Sequence, residues 1–405
     1  MATSQYRFAE RIVPTGHPEF MSLVATAHSR AERPHCMCNG TVRGLEVYVA
    51  RRHQKFVIHR MPGTGPLHAP SCGHFEPADD LTGLGQVRGH AVIDDDVSGE
   101  TTLKLGFPLS RGSARMAAAA ASAEDKPSVK SDGTKLSIRG FLHYLWNDAH
   151  LTHWHPLMER KRNWFIVRKA LLGAAETKQS KGRYLASMLY VPERFALDDK
   201  PAIQQRRRET TARAIATTKQ LMVIIAEVKN FEVSRYGEKI VCKHLPDWPL
   251  FMDDQLAKRL HKNFEREIEF ARGNDKDHLI ICATFEIGKS DFAHVRELTL
   301  MAVNESWLPY ESTTDRALVE QCVAQKRHFI KGMRMNLDAS SPIAALILTD
   351  TKPRATALYL RQVVLSRDNQ AVLDERMSYT GVVHHILMPG DKLPAHQVEA
   401  APNST

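Results

Sequence analysis

The feature that most constrains this 405-residue chain lies near its N-terminus. Cys36 and Cys38 are separated by one residue, and after a 33-residue spacer Cys72 is followed by His74, giving a C-x-C … C-x-H array. Four soft or borderline donors arriving in two close pairs are what a tetrahedral Zn²⁺ site requires. The pairs sit among Pro34, Asn39, Gly40, Pro70, Ser71 and Gly73, residues of turns, which is where metal knuckles form. Free thiols or a redox pair are the competing reading. His35 and His68 are rivals to His74 for the fourth position. Cys242, Cys282 and Cys322 lie in apolar runs and read as small buried hydrophobes.

The spacer itself supports a site. Leu45 to Arg60, LEVYVARRHQKFVIHR, has two β-like runs around a polar centre and reads as a hairpin that returns the chain beside the first cysteine pair. The order of ligands resembles the SWIM type of zinc finger over about forty residues, with a longer spacer.

Composition bounds the rest. At 43% hydrophobic and 25% charged, the chain has room for two or three ordinary cores. MATSQYRFAERIV has no apolar run of signal-peptide length, and no later segment approaches the roughly 18 apolar residues of a membrane span. The expectation is a cytoplasmic protein with no membrane partner, in a reducing compartment that favours metal ligation by cysteine over disulfides.

The expected class is α+β and multidomain. A small zinc-binding, β-rich module spans 1–110, with a helix in PEFMSLVATAHSRAER. An Ala-, Ser- and charge-rich linker follows at 110–134. A basic helical region covers 135–220, with amphipathic patterns in GFLHYLWNDAHL and RNWFIVRKALLGAA. A mixed α+β domain at 185–365 overlaps it, and 366–405 reads as a tail, polar and disordered from about 389.

Charge is concentrated in the middle. Glu159 to Lys219 holds 15 Lys or Arg against 6 Asp or Glu, a surplus of 9 that equals the net charge of the whole chain. Arg160, Lys161, Arg162, Arg168, Lys169, Arg206, Arg207 and Arg208 carry most of it, an arrangement suited to the phosphates of DNA or RNA. A solvated basic face is the plainer reading.

One catalytic pattern stands out. In LMVIIAEVKNFEV, a strand would put Glu227 and Lys229 on one face, where the carboxylate can bind a divalent metal such as Mg²⁺ while the ammonium approaches an attacking water or a phosphate. Restriction-endonuclease-like nucleases use such an E-x-K with an upstream carboxylate, for which Glu193, Asp198 and Asp199 are available, although a basic stretch intervenes. Asp350 is a second carboxylate at a strand end. There is no phosphate-cradling Gly-rich loop, no G-x-S-x-G and no H-E-x-x-H.

Taken together, HCMC, LEVYVARRHQKFVIHRMPGTGPLHAPSCGH, GFLHYLWNDA, SMLYVPERF, AEVKNFEVSRYG, HLPDWPLFMDD and HFIKGMR resemble the DUF1173 family of bacterial proteins of unknown function, over roughly residues 30 to 365. The resemblance implies three N-terminal cysteines, matched by Cys36, Cys38 and Cys72, and a setting on plasmids and integrative elements. The reading is therefore a protein with structural zinc, associated with nucleic acid in mobile-element biology. The alternatives are a metal-dependent nuclease and a protein-docking zinc module.

Overall fold

The computed structural model describes residues 4–395 except 53–54, 62, 96–98, 111–132, 216–218, 236, 289–290, 353, 362–365 and 389. Nearly all of the expected linker, and residues 396–405 of the expected tail, lie outside the described residues. The chain is mixed α+β.

Five strands form the first sheet, β1 (Gln5–Phe8), β2 (Arg11–Pro14), β3 (His35–Cys36), β4 (Leu45–Arg52) and β5 (Lys55–Arg60), antiparallel in the order β2-β1-β3-β4-β5. The expected hairpin is β4–β5, with Val49 opposite Ile58. Helix α1 (Phe20–Ser29) repeats apolar residues at helical spacing and buries Phe20, Val24 and Ala27 with Tyr6, Phe8, Val13 and Val47. After a one-turn helix α2 (Leu84–Val87), strands β6 (Val92–Asp94) and β7 (Thr101–Leu103) join β9 (Lys178–Ser180) and β10 (Arg183–Tyr184) in a sheet ordered β10-β9-β7-β6.

The two basic-region helices are α3 (Ile138–Asp148) and α4 (Trp164–Ala175). Each starts at a capping side chain: Ser137 Oγ accepts the Gly140 N–H, and Asn163 Oδ1 accepts the Ile166 N–H. Phe141, Leu142, Leu145, Val167 and Leu171 bury into one core with Leu103, Leu105 and Leu109, which precede residues 111–132 in the chain.

That core rests on the largest sheet. Its strands are β11 (Leu189–Tyr190), β12 (Met222–Ser234), β13 (Gly237–Cys242), β14 (Leu245–Met252), β15 (His278–Ile287) and β16 (Ala293–Val303), in the order β11-β12-β13-β14-β16-β15. Because β15 also pairs with β12, five of these strands close into a ring. Helix α5 (Lys200–Thr211) precedes β12, and α6 (Asp254–Asn263) and α7 (Glu265–Gly273) bring Leu260 and Ile268 onto it. Asp253 caps α6, accepting the Leu256 N–H at 2.8 Å.

The last sheet runs β20-β19-β18-β17-β8, from β8 (His153–Trp154), β17 (Phe329–Lys331), β18 (Leu346–Leu348), β19 (Thr356–Leu360) and β20 (Val383–Leu387). Helix α8 (Thr313–Ala324) packs Leu318, Val319 and Cys322 against Leu346, Leu348 and Leu358. The opposite face, Ile347, Ala357 and Tyr359, packs with Phe75, Leu81 and Leu373 of helix α9 (Arg367–Tyr379). Residues 366–388, read from sequence as tail, thus carry a helix and a strand. Val383–Leu387 is short and broken by two histidines, and becomes a strand because β19 offers it a parallel edge.

Leu81 and Gly83 thread the chain into this sheet. Gly83 N–H donates to Met333 O at 2.8 Å, Ala344 N–H donates to Leu81 O at 2.8 Å, and a Cβ at Gly83 would lie 2.0 Å from Arg334 O. Gly83→Ala is expected to cost about 1–3 kcal/mol in urea unfolding through overpacking against backbone. Gly16→Ala, with nothing within 4 Å of its Cβ position, should be near neutral.

Candidate metal centre

The centre is built by three local structures. Cys36 is held in β3, paired opposite Tyr6 of β1 and Leu45 of β4, and is fully buried. Cys38 follows in the turn after β3. The chain then doubles back at Gly44, whose φ of +68° and the closeness of its Cβ position to Cys36 O (2.8 Å) exclude a larger side chain without strain. The β4–β5 hairpin returns the chain to a 3₁₀ turn at Gly65–Leu67, which delivers His68, and a turn in which Cys72 N–H donates to Ala69 O delivers Cys72.

These elements converge four donors. Cys36 Sγ lies 3.7 Å from Cys72 Sγ, and His68 Nδ1 lies 3.2 Å from Cys38 Sγ and 3.8 Å from Cys72 Sγ. The ligand atoms of Cys36, Cys38, His68 and Cys72 all fall within 4.8 Å of one another. Among the described residues this is the one group of three or more His, Cys, Asp and Glu gathered so that it can hold a metal ion. Backbone N–H groups of Ala69 and His74 reach Cys38 Sγ and Cys72 Sγ at 3.4 Å each, the bonds that steady thiolates in a knuckle. The residues present therefore fit a metal.

Three sulfurs this close share protons. Contact with Cys36 and Cys72 holds the Cys38 thiol far below its usual range, while contact with Cys38 pushes Cys36 up to about 11 and contact with Cys36 raises Cys72 further. A bound cation removes that competition by stabilising all three thiolates.

The structure differs from the expected grouping at one donor. His68, weighed as a rival to His74, lies with the three cysteines, and His74 lies outside that group. His74 Nε2 instead forms a 2.7 Å hydrogen bond with Tyr6 OH, and burial lowers its imidazole to about 4. The C-x-H spacing suggested His74, whose ring lies 5.4 Å from that of His68 and is engaged by Tyr6. His35, the other rival, sits in β3 and is outside the cluster.

Residues 6–385 match the family described as Protein of unknown function (DUF1173). The chain belongs to that family. No curated protein and no solved structure matches it. Among the described residues of this DUF1173 chain, no helix is long and apolar enough to cross a membrane.

Glu227 and Lys229 are not brought together as a strand pair. The β12–β13 register shifts between Val228 and Asn230, so Lys229 sits at a bulge and is exposed, whereas Glu227 is 3% exposed. Glu227 is ringed by cations and imidazoles: Lys243 Nζ at 2.5 Å, His278 Nδ1 at 2.6 Å and His244 Nε2 at 3.6 Å. His278 stacks on Trp307 with centroids 3.9 Å apart, and His244 stacks on Trp164 at 5.2 Å. Sequence reasoning missed these partners, which come from the β13–β14 turn and the start of β15. Burial works to raise the Glu227 carboxyl, but hydrogen bonds from His244, His278 and Lys243 outweigh it and hold the group well below the carboxylate range. This is the geometry of a buried ion cluster pinning the β13–β14 turn. Asp350, the other carboxylate of interest, forms a two-pronged pair with buried Arg327 at 2.7 and 2.9 Å.

The eight basic residues separate by role. Arg207 is buried against Asp247 (3.2 Å) and lies over the Trp248 ring. Arg162 donates to Leu151 O and His153 O, and Arg168 to Val191 O. Arg206 pairs with Glu193 through two 2.9 Å bonds, and Arg208 approaches Asp291 at 3.6 Å. Arg160, Lys161 and Lys169 are exposed and form no ion pair among the described residues.

Glu227→Ala is expected to destabilise the fold by about 1–3 kcal/mol, because it removes the buried acceptor shared by Lys243, His244 and His278. Since the folded carboxyl titrates below its unfolded value, its contribution is present above the ordinary glutamate range and fades as pH falls beneath it. Urea unfolding between pH 5 and pH 3 should therefore show a shallower loss of stability in Glu227→Gln than in wild type.

Proposed function

We propose that Cys36, Cys38, His68 and Cys72 hold a structural Zn²⁺ ion. The supporting observation is a match of edges. A tetrahedron with arms of about 2.3 Å to sulfur and about 2.0 Å to nitrogen has S···S edges near 3.7 Å and S···N edges near 3.5 Å. The corresponding separations are 3.7 Å for Cys36–Cys72 and 3.2 and 3.8 Å for His68 to Cys38 and Cys72. Three sulfurs and one imidazole also suit zinc better than hard cations such as Mg²⁺ or Ca²⁺, which prefer oxygen. With four protein donors the coordination is closed, which makes the ion a fold element and leaves no position for substrate. Its role is to tie the first sheet to the segment that runs through Phe75 and Leu81 into the last sheet.

Elemental analysis of untagged, chelator-washed protein tests this. About one zinc per chain is expected, lost in Cys36→Ser, Cys72→Ser and His68→Ala, and kept in His74→Ala. Loss in His74→Ala with retention in His68→Ala would overturn the ligand set, and a folded wild type without zinc would overturn the reading.

A second reading concerns nucleic acid, and a specific surface favours it. Phe165 is 62% exposed in the first turn of α4, with Lys169 one turn on and Arg160 and Lys161 in the segment before the helix. An exposed aromatic among basic residues is the combination that stacks bases and neutralises phosphates in single strands. Retention on single-stranded DNA that falls with salt, and falls at least several-fold in a combined Lys161→Glu, Phe165→Ala, Lys169→Glu variant, is the expected result. Binding unchanged by these substitutions would rule this surface out.

A further inference from the structure

Away from the metal centre, a groove of about 440 Å³ lies at the carboxyl ends of the parallel strands β19 and β20, against helix α8. That volume falls in the range of small-molecule sites, roughly 300–1,000 Å³. Burial separates its floor from its rim. Leu318 of α8 and Leu387 of β20 are buried, and Leu360 of β19, paired in register with Leu387, is half-buried. Ala317, Arg361, Met388 and Asp391 are exposed around them. An aliphatic floor beneath a polar rim suits a ligand with a hydrocarbon body and one polar head.

Charge decides the head. The rim carries one cation and one anion, and neither forms an ion pair among the described residues. Asp391 is turned onto its own backbone, where its Oδ2 accepts the Met388 N–H at 2.8 Å. Arg361 has no comparable partner. Its one hydrogen bond among the described residues goes to the thioether sulfur of Met388, a weak acceptor, although a guanidinium offers five donors and pairs most strongly with a carboxylate. Because Arg361 is exposed, an anionic head entering from solvent can reach those donors. An ammonium head would meet Arg361 as a like charge.

We propose that this groove binds a medium-chain aliphatic carboxylate, its chain along Leu318, Leu360 and Leu387 and its head on Arg361. The inference is independent of the metal centre and of the basic surface on α4.

Calorimetric titration of the full chain with butanoate, hexanoate, octanoate and decanoate tests it, beside octan-1-ol and octylamine. Octanoate should bind, with affinity rising about three- to fourfold per methylene from butanoate until the floor is covered. Octan-1-ol should bind about tenfold more weakly, and octylamine more weakly still, because neither offers Arg361 a charged acceptor. Arg361→Gln should weaken octanoate about tenfold and leave octan-1-ol unchanged, whereas Asp391→Asn should tighten octanoate by removing a like charge from the rim. The alcohol removes the charge from the ligand side, so the test stands even if a variant does not fold. No binding of octanoate at about 2 mM, equal binding by the alcohol or the amine, or full octanoate affinity in Arg361→Gln would overturn the proposal. A dimer in sedimentation that Met388→Glu dissolves would assign the groove to a second copy and overturn it as well.

Discussion

Strand β12 is where the interior of the protein divides. Side chains alternate along a strand, so Val223 and Ile225 enter the core formed with α3 and α4, while Met222, Ile224, Ala226 and Val228 enter the core formed with α6 and α7. A one-residue slip would exchange the two sets and empty both cores. The register is set on both sides, by seven consecutive pairings with β15 and by the bulged ladder with β13. Glu227 is the exception to the apolar alternation, and its cluster with Lys243, His244 and His278 joins β12 to the β13–β14 turn and to β15. A polar group this deep is tolerated because Lys243, His244 and His278 meet its oxygens.

The metal centre works on a different part of the fold. Its four donors come from a two-residue strand and two turns, elements with little apolar surface of their own. Beyond Cys72, Phe75 and Leu81 bury in the last sheet and Gly83 lies against its backbone. A cavity of about 560 Å³ borders the centre at Gly73 and His74, and its walls include the ion pairs Arg60–Glu76 and Lys178–Asp148. Arg60–Glu76 ties the end of the spacer hairpin to the segment after Cys72, and Lys178–Asp148 ties β9 to the end of α3.

Much of this was legible in the amino-acid order. The hairpin at 45–60, helix α1, the two helices after Ser137 and Asn163, the strand at 222–234 and the α+β class follow from periodicity and capping, which are local. The three buried cysteines outside the cluster follow from their apolar neighbours. Helix α9 and strand β20 were not legible in the sequence because they are weakly apolar and owe their order to the sheet and core they join. The basic run was legible as charge, but not the use of Arg162, Arg168 and Arg207 inside the protein, because their carbonyl and carboxylate partners are up to 40 positions away.

What the sequence determined by itself is the chemistry available: three sulfurs and nearby imidazoles in turn-rich segments, a long apolar strand carrying one glutamate, and a local surplus of positive charge. Tertiary structure decided which groups meet. It gathered His68, and not His74, with the three cysteines, because spacing alone does not encode the direction in which a turn presents its side chain. It surrounded Glu227 with Lys243 and His244 from the β13–β14 turn and His278 from β15. It also set the Arg361 guanidinium against a thioether at the rim of an apolar groove. Contacts made across long stretches of chain set each outcome, since burial and geometry, unlike composition, belong to the folded molecule.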